Sequence, residues 1–240
     1  MSTFARLFRR PKPETLATRA AYELWAPGYP PVAHNPLMRA EQRAVEEVLR
    51  LIAPTRALDI GTGSGRYLPI LAAAGAAHVV GIDFSRAMLG QARPDRSRVC
   101  GDARQLPFRR ESFDLINSSL MAGDIDDLGS FVSEVAAVLA PDGHFIYSDF
   151  HPTWTAQGWR RTFRTAAGQD IALSYTPHRR DDHLDALCRA GLRVVSVREP
   201  RLNPDEHGPD VDAFRRQWSD APVVIILHAT KDARSSPADR

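Results

Sequence analysis

Residues 58–68 read LDIGTGSGRYL, and this stretch decides the fold. Ala57, Leu58 and Ile60 suit a strand buried on both faces, as in a parallel sheet. Gly61, Gly63 and Gly65 permit positive φ and let the backbone approach a ligand closely. A helix expected to open at Ser64 or Gly65 carries Leu68, Leu71 and Ala72 on its apolar face, with Gly75 placed to stop it. Strand, glycine turn and helix form the first unit of a doubly wound α/β sheet, and the turn is a shelf for a flat, polar, nucleotide-like molecule.

The residues around the turn narrow the ligand. A dinucleotide fingerprint reads GxGxxG, yet the position for its third glycine holds Arg66. A P-loop needs a lysine after its glycines, and no lysine occurs between Lys12 and Lys231. Asp59, two residues before the first glycine, would repel a pyrophosphate and attract an ammonium group. S-adenosylmethionine has the ammonium and no phosphate.

The second predicted strand, His78–Asp83, ends in an acid 22 positions after Gly61, the spacing at which a carboxylate reaches both ribose hydroxyls. Ser85 is placed to cap the next helix, whose Met88 and Leu89 offer an apolar face to an adenine or to the core. The third strand runs through Arg98, Val99 and Cys100 to Asp102 and Ala103, where an acid can accept from the exocyclic amine and a backbone can read the ring edge. Thr62 in the turn and Phe84 after Asp83 complete the expected cofactor contacts. The fourth strand is FDLINSSLM from Phe113 to Met121. A helix with Phe131, Val135, Val138 and Leu139 on one face ends at Pro141, Asp142 and Gly143, and HFIYSDF is the fifth strand.

The ordered series LDIGTGSG, GIDFSRAML, GDARQLPF, FDLINSSL and LAPDGHFIYSDF resembles the motifs of the class I S-adenosylmethionine-dependent methyltransferases, and within them the small-molecule branch similar to quinone C-methylases. The resemblance spans about residues 41 to 150, with a continuation to 231. It implies a seven-stranded, mostly parallel Rossmann-like sheet with an antiparallel last strand. It also implies that Asp59 and the three glycines cradle the methionine part, that Asp83 holds the ribose and Asp102 the adenine, and that Ser118 flanks the cofactor. Many relatives carry histidines shortly after the fourth strand; here the segment reads Met121-Ala122-Gly123-Asp124, so no acid or base carries over to that loop.

Composition agrees. The chain has 240 residues, 43% hydrophobic and 25% charged, enough for a full α/β core. A net charge of only +2 lacks the electrostatic footprint of a nucleic-acid binder. Asn117-Ser118-Ser119-Leu120 also lacks the Asn-Pro-Pro-aromatic pattern of enzymes that methylate amino groups of bases. Cys100 and Cys188 read as small buried hydrophobes in a reduced compartment, and no metal-ligand spacing is recognised. No stretch is long and apolar enough for stable membrane insertion and no signal peptide is visible, so a cytoplasmic location is expected. Residues 1–15 read as a flexible basic tail, 16–231 as one methyltransferase domain and 232–240 as a second tail.

Two segments bear on the acceptor. Residues 16–38 form a lid made irregular by Pro27, Gly28, Pro30, Pro31 and Pro36, after which an amphipathic helix begins at Arg39. Tyr22 and Tyr29 are its expected cofactor contacts, Trp25 and His34 its expected acceptor contacts. Residues 151–180 form a cap whose RTFRT and DIALSY segments predict a β-hairpin, contributing Trp154, Trp159, Phe163 and Tyr175. His151 follows strand five, at the carboxyl end where open parallel sheets place their sites, and is the expected base. The nearby arginines, Arg161 among them, receive no role. Asp181 is expected to cap a helix ended by Gly191; LRVVSVR is strand six, DAFRRQW a short helix and VVIILHATK strand seven. The function expected is methyl transfer to a small, planar or apolar acceptor. The alternatives are a non-catalytic binding module, a nicotinamide-dependent oxidoreductase and a methyltransferase with a macromolecular acceptor. Oligomeric state is not legible.

Overall fold

Alternation of apolar side chains along the central strand sets which layer each residue serves. Leu58 and Ile60 of β2 (Arg56–Ile60) pack on one side of the sheet and Ala57 on the other. The computed structural model describes residues 13–93, 97–202, 208, 211, 212 and 221–233, and at Thr155 the backbone alone.

Around β2 stand β3 (His78–Asp83), β4 (Ser97–Cys100), β5 (Phe113–Ser118), β6 (Leu139–Phe150), β9 (Leu192–Arg198) and β10 (Val224–Lys231), in the order β4-β3-β2-β5-β6-β10-β9. Pairings among β2 to β6 are parallel, and β10 runs antiparallel to both its neighbours. This is the doubly wound sheet expected, with its last strand reversed. Helix α2 (Pro36–Leu49) packs on one face; α5 (Leu128–Val138) and α7 (Arg180–Arg189) pack on the other, and the short α6 (Pro152–Ala156) follows β6.

Local chemistry explains where the elements start. Asn35 caps α2, its side chain accepting from the Met38 N–H at 2.8 Å with Pro36 opening the helix, so α2 begins three residues before the expected Arg39. Ser85 caps α4 (Arg86–Gln91) as expected, accepting from Met88. Helix α3 (Leu68–Ala73) starts later than Ser64 or Gly65, because Gly65 has φ +80° and cannot join a helix. Asp182, not Asp181, accepts from the N–H of Arg179 at the start of α7. Pro141 to Gly143 do not end a helix: α5 stops at Val138, and these residues bulge within β6, whose Leu139 and His144 face Phe113 and Leu115 of β5.

A second sheet covers the carboxyl ends of the first. Strands β7 (Thr162–Arg164) and β8 (Asp170–Leu173) form the expected hairpin, and β1 (Glu14–Leu16) joins β8 in parallel. Glu14 and Thr15, read from sequence as tail, are thus strand. Helix α1 (Thr18–Trp25) lies beneath, its Ala21 packing with Phe163, Ile171 and Leu173 in a satellite core. Lid and cap are therefore one structure, and part of the lid is regular helix.

Cys100 and Cys188 are both exposed, against expectation. Cys100 ends the edge strand β4, and α7 turns His183, Ala186 and Leu187 inward instead of Cys188. Among the described residues no helix is long and apolar enough to cross a membrane. The expected tails at 1–12 and from 234, and the DAFRRQW helix beyond Asp212, lie outside the described residues.

Candidate active site

The glycine turn is tied to the next strand before any ligand is considered. The N–H groups of Gly61 and Thr62 both donate to the carbonyl of Ile82, at 2.9 and 3.0 Å, and the N–H of Gly63 donates to Asp83 Oδ2 at 2.8 Å. Gly61 has φ +69°, and a Cβ there would lie 2.6 Å from Met121 Cγ. A side chain at this position is excluded twice over, by conformation and by space.

Above the turn is a cavity of about 640 Å³, floored by the carboxyl ends of β2, β3 and β5 and roofed by α1 and the cap. Asp59 and Asp83 are buried carboxylates within it. Asp59 accepts from Asn117 Nδ2 at 2.8 Å, and burial pushes its carboxyl up to about 6. Asp83 accepts from Gly63 and from the Ser85 N–H, and burial again raises it to about 6. Each is an anion short of compensating charge. An ammonium beside Asp59 and hydroxyls on Asp83 would supply what burial has removed, so the donor set fits S-adenosylmethionine.

Most of the expected contacts converge here. Tyr22, Tyr29, Thr62, Gly63, Phe84, Met88, Asp102 and Ala103 line the cavity, as do Trp25, His34, Trp159 and Tyr175. Trp25 stacks on Phe163 with ring centroids 4.8 Å apart and meets Tyr29 edge-on at 4.8 Å; Tyr29 meets His34 at 5.3 Å. Asp102 is already engaged: Arg104 forks onto its carboxylate at 2.6 and 3.0 Å and holds it below the usual range.

Four expected residues stand elsewhere. His151 is outside the cavity, with Nδ1 2.9 Å from Thr153 Oγ1 and Nε2 3.6 Å from Glu199; Phe150 before it lines the cavity instead. Burial also lowers the His151 pKa, and it is its place outside the cavity that removes it as the expected base. Trp154 is 1% exposed and donates Nε1 to the Pro222 carbonyl at 2.7 Å, which makes it core. Ser118 is buried below the floor, and Ser119 lines the cavity in its stead. Gly65 serves packing: a Cβ there would lie 3.0 Å from Ala92 Cβ at the end of α4.

Two polar clusters escaped the sequence reading. Glu41, 0% exposed, accepts from Arg66 at 3.0 Å, Tyr67 at 2.8 Å and Ser148 at 2.8 Å, pinning α2 to the glycine turn and to β6. Arg66 and Tyr67 line the cavity, and the guanidinium stands 4.4 Å over the Tyr67 ring. Asp124 pairs with Arg161 of the cap and accepts from the Tyr22 hydroxyl at 3.1 Å. The carboxylate that the loop after β5 seemed to lack as a site residue is therefore there, held by an arginine brought from the cap. Nothing local marked either cluster, since each joins three distant segments.

Comparison with known proteins places this site in a lineage. The Methyltransferase domain family matches residues 58–147. A malonyl-[acyl-carrier protein] O-methyltransferase of Geobacter sulfurreducens is 32% identical over 194 residues, which span 73% of this chain and 71% of that protein. The chain belongs to the class I S-adenosylmethionine-dependent methyltransferases. A demethylmenaquinone methyltransferase of Streptomyces griseus is 33% identical over 193 residues, 79% of this chain and 73% of that one. A crystal structure of an S-adenosylmethionine-dependent methyltransferase from Mesorhizobium loti superposes with a TM-score of 0.60 at 23% identity, over 81% of this chain and all of that one, and shares the fold. The methyltransferase takes S-adenosylmethionine as cofactor; an oxidoreductase or a non-catalytic module finds no support.

Proposed function

We propose that this methyltransferase acts on a small, planar acceptor of largely apolar body, in the manner of an aromatic ring system. The observation that carries the reading is the aromatic wall of the cavity: Trp25, Tyr29, Phe150, Trp159 and Tyr175 face the same space as the glycine turn. Flat rings there offer stacking and edge contacts to a flat ligand. The family names point both ways, to a quinone-type and to an acyl-carrier acceptor, and the wall favours the first. The net charge of +2 favours a small molecule over nucleic acid, and two exposed unpaired cysteines favour a reducing compartment such as the cytoplasm.

Within this reading Asp59 receives the cofactor's ammonium, Asp83 its ribose hydroxyls, and Phe84, Met88, Asp102 and Ala103 enclose the adenine. The cofactor supplies a methyl carbon made electrophilic by an adjoining sulfonium. The chain's residues would align an acceptor with that carbon and keep water out, which is the larger part of the rate. Arg161, paired with Asp124, joins cap to floor so that the site is closed when both are in place.

The test is an acceptor panel with product mass spectrometry, containing dihydroxynaphthalenes and a malonyl thioester. S-adenosylhomocysteine should form with the ring acceptors; formation with the thioester alone would overturn the planar-acceptor reading. Asp83→Asn should weaken S-adenosylmethionine binding by roughly 10- to 100-fold in calorimetry, the loss of a charged acceptor for one or two hydrogen bonds. Undiminished affinity would remove Asp83 from the ribose site.

A further inference from the structure

Asp149 is a carboxylate for which the reading above has no task. It lies on β6 at 0% exposure; Oδ1 accepts from the Phe150 N–H at 2.8 Å and from the Tyr175 hydroxyl at 3.2 Å, and Oδ2 has no partner among the described residues. A buried carboxylate with an orphaned oxygen is costly, and an apolar residue of similar shape would serve packing better. Tyr175 links it to the cavity. The ring lines the cavity wall and lies so close to Gly123 that a Cβ there would be 1.9 Å from Cε2. Phe150 and Trp159 meet the ring edge-on at 5.9 and 6.2 Å. Held on three sides, Tyr175 reaches from the acceptor's space to Asp149.

We propose that Tyr175 and Asp149 form a proton relay for acceptors that lose a proton on methylation, an inference that rests on the methyltransferase reading. As the acceptor's electron pair forms its bond to the methyl carbon, the methyl–sulfur bond breaks with its pair left on sulfur. The acceptor's O–H, N–H or C–H proton passes to the Tyr175 oxygen, and the Tyr175 proton passes to Asp149 Oδ1. The positive charge lost from sulfur is matched by the negative charge lost from Asp149. Tyr175 is the catalytic residue and Asp149 the group that positions it and receives the proton.

The neighbouring groups suit this assignment better than any other carboxylate. Asp124 is committed to Arg161 and Tyr22, and Asp59 to Asn117 beneath the glycine turn. The charged and titratable groups that act on Asp149 are Asp124 and Arg161 from across the cavity, Tyr175 from the cap and Tyr147 on its own strand, while β10 places Ile225 opposite it. Burial, the largest influence, raises the carboxyl to about 7, so near neutrality it can both receive and release a proton. Burial raises the Tyr175 phenol as well, so the phenol takes one proton as it gives up another and does not ionise. The 3.2 Å separation is long for such a bond, as catalytic hydrogen bonds often are before the acceptor closes the site.

The experiment compares the wild type with Asp149→Asn and Tyr175→Phe by calorimetry with S-adenosylmethionine, turnover of 1,4-dihydroxynaphthalene against pH, and infrared titration. Both variants should bind the cofactor as the wild type does and turn over roughly 10²–10⁴-fold more slowly. The wild-type rate should rise through a step near pH 7 that Asp149→Asn abolishes. In the infrared, a neutral carboxylic acid band should titrate over the same step, vanish in Asp149→Asn and change frequency in Tyr175→Phe. Undiminished turnover with an unchanged pH step in either variant overturns the relay. If the wild type binds the cofactor but leaves the naphthalene unmethylated, the planar-acceptor reading falls with that probe. The infrared arm still decides the pair: a titrating band sensitive to Tyr175→Phe supports it, and a band that is absent or insensitive overturns it.

Discussion

Asp59 and Asp83 hold the cofactor in our reading because each is a buried anion whose desolvation the ligand relieves. In the free protein burial raises both carboxyls to about 6, so at pH 6 each is near half protonated. An ammonium on Asp59 and hydroxyl donors on Asp83 favour the ionised forms, and binding must then expel protons. Calorimetry of S-adenosylmethionine binding at pH 6 should therefore give different heats in phosphate and Bis-Tris, with net proton release that fades as pH rises to 7. Equal heats in the two buffers at pH 6 would mean that the ligand does not engage these carboxylates. Both residues were legible because their evidence is local, an acid before a glycine turn and an acid at a strand end. His151 was misread for an equally local reason. It follows the last residue of β6, and here Phe150 takes the cavity side while His151 turns to Thr153 and Glu199.

At the scale of elements, the Trp25–Phe163 stack joins α1 to β7. Phe163→Ala removes that stack from a satellite core whose other fully buried members are Ala21, Ile171 and Leu173. Loss of a buried Phe costs about 3–5 kcal/mol in a core that cannot collapse, enough to open a small unit without unfolding the sheet. Amide exchange should accelerate in β1, β7 and β8 and stay unchanged in β2, β3 and β5, with KM for the cofactor raised more than kcat is lowered. Uniform acceleration across both sheets would show that the cap is no separate unit. The hairpin was legible from RTFRT and DIALSY, because turn and strands are contiguous. The pairing of Glu14 with Ile171 was not, since three residues carry little periodicity and their partner lies most of the chain away. Glu41 was hidden in the same way: on the sequence it is one acid in an amphipathic helix, and only folding brings Arg66, Tyr67 and Ser148 to it.

Across the whole molecule, burial acts on acids and histidines with opposite consequences for stability. Asp59, Asp83 and Asp149 bind protons more tightly folded than unfolded, so they lower stability as pH rises from their unfolded value near 4 to about 6 or 7. His183, beside the Tyr147 hydroxyl at 3.2 Å, and His228, whose Nε2 lies 2.9 Å from His144 Nδ1, are the reverse. Burial lowers both to about 4, below the unfolded value near 6.5, so the unfolded chain binds more protons in that window. Their contribution is whole above pH 6.5 and is lost as pH falls toward 4. His183→Gln combined with His228→Gln keeps polar groups toward Tyr147 and His144 while removing the titration. Denaturant midpoints at constant ionic strength should show the wild type losing more stability, or gaining less, from pH 7 to pH 5 than the double variant. Parallel pH profiles for the two proteins would show that these histidines are not buried in their neutral forms.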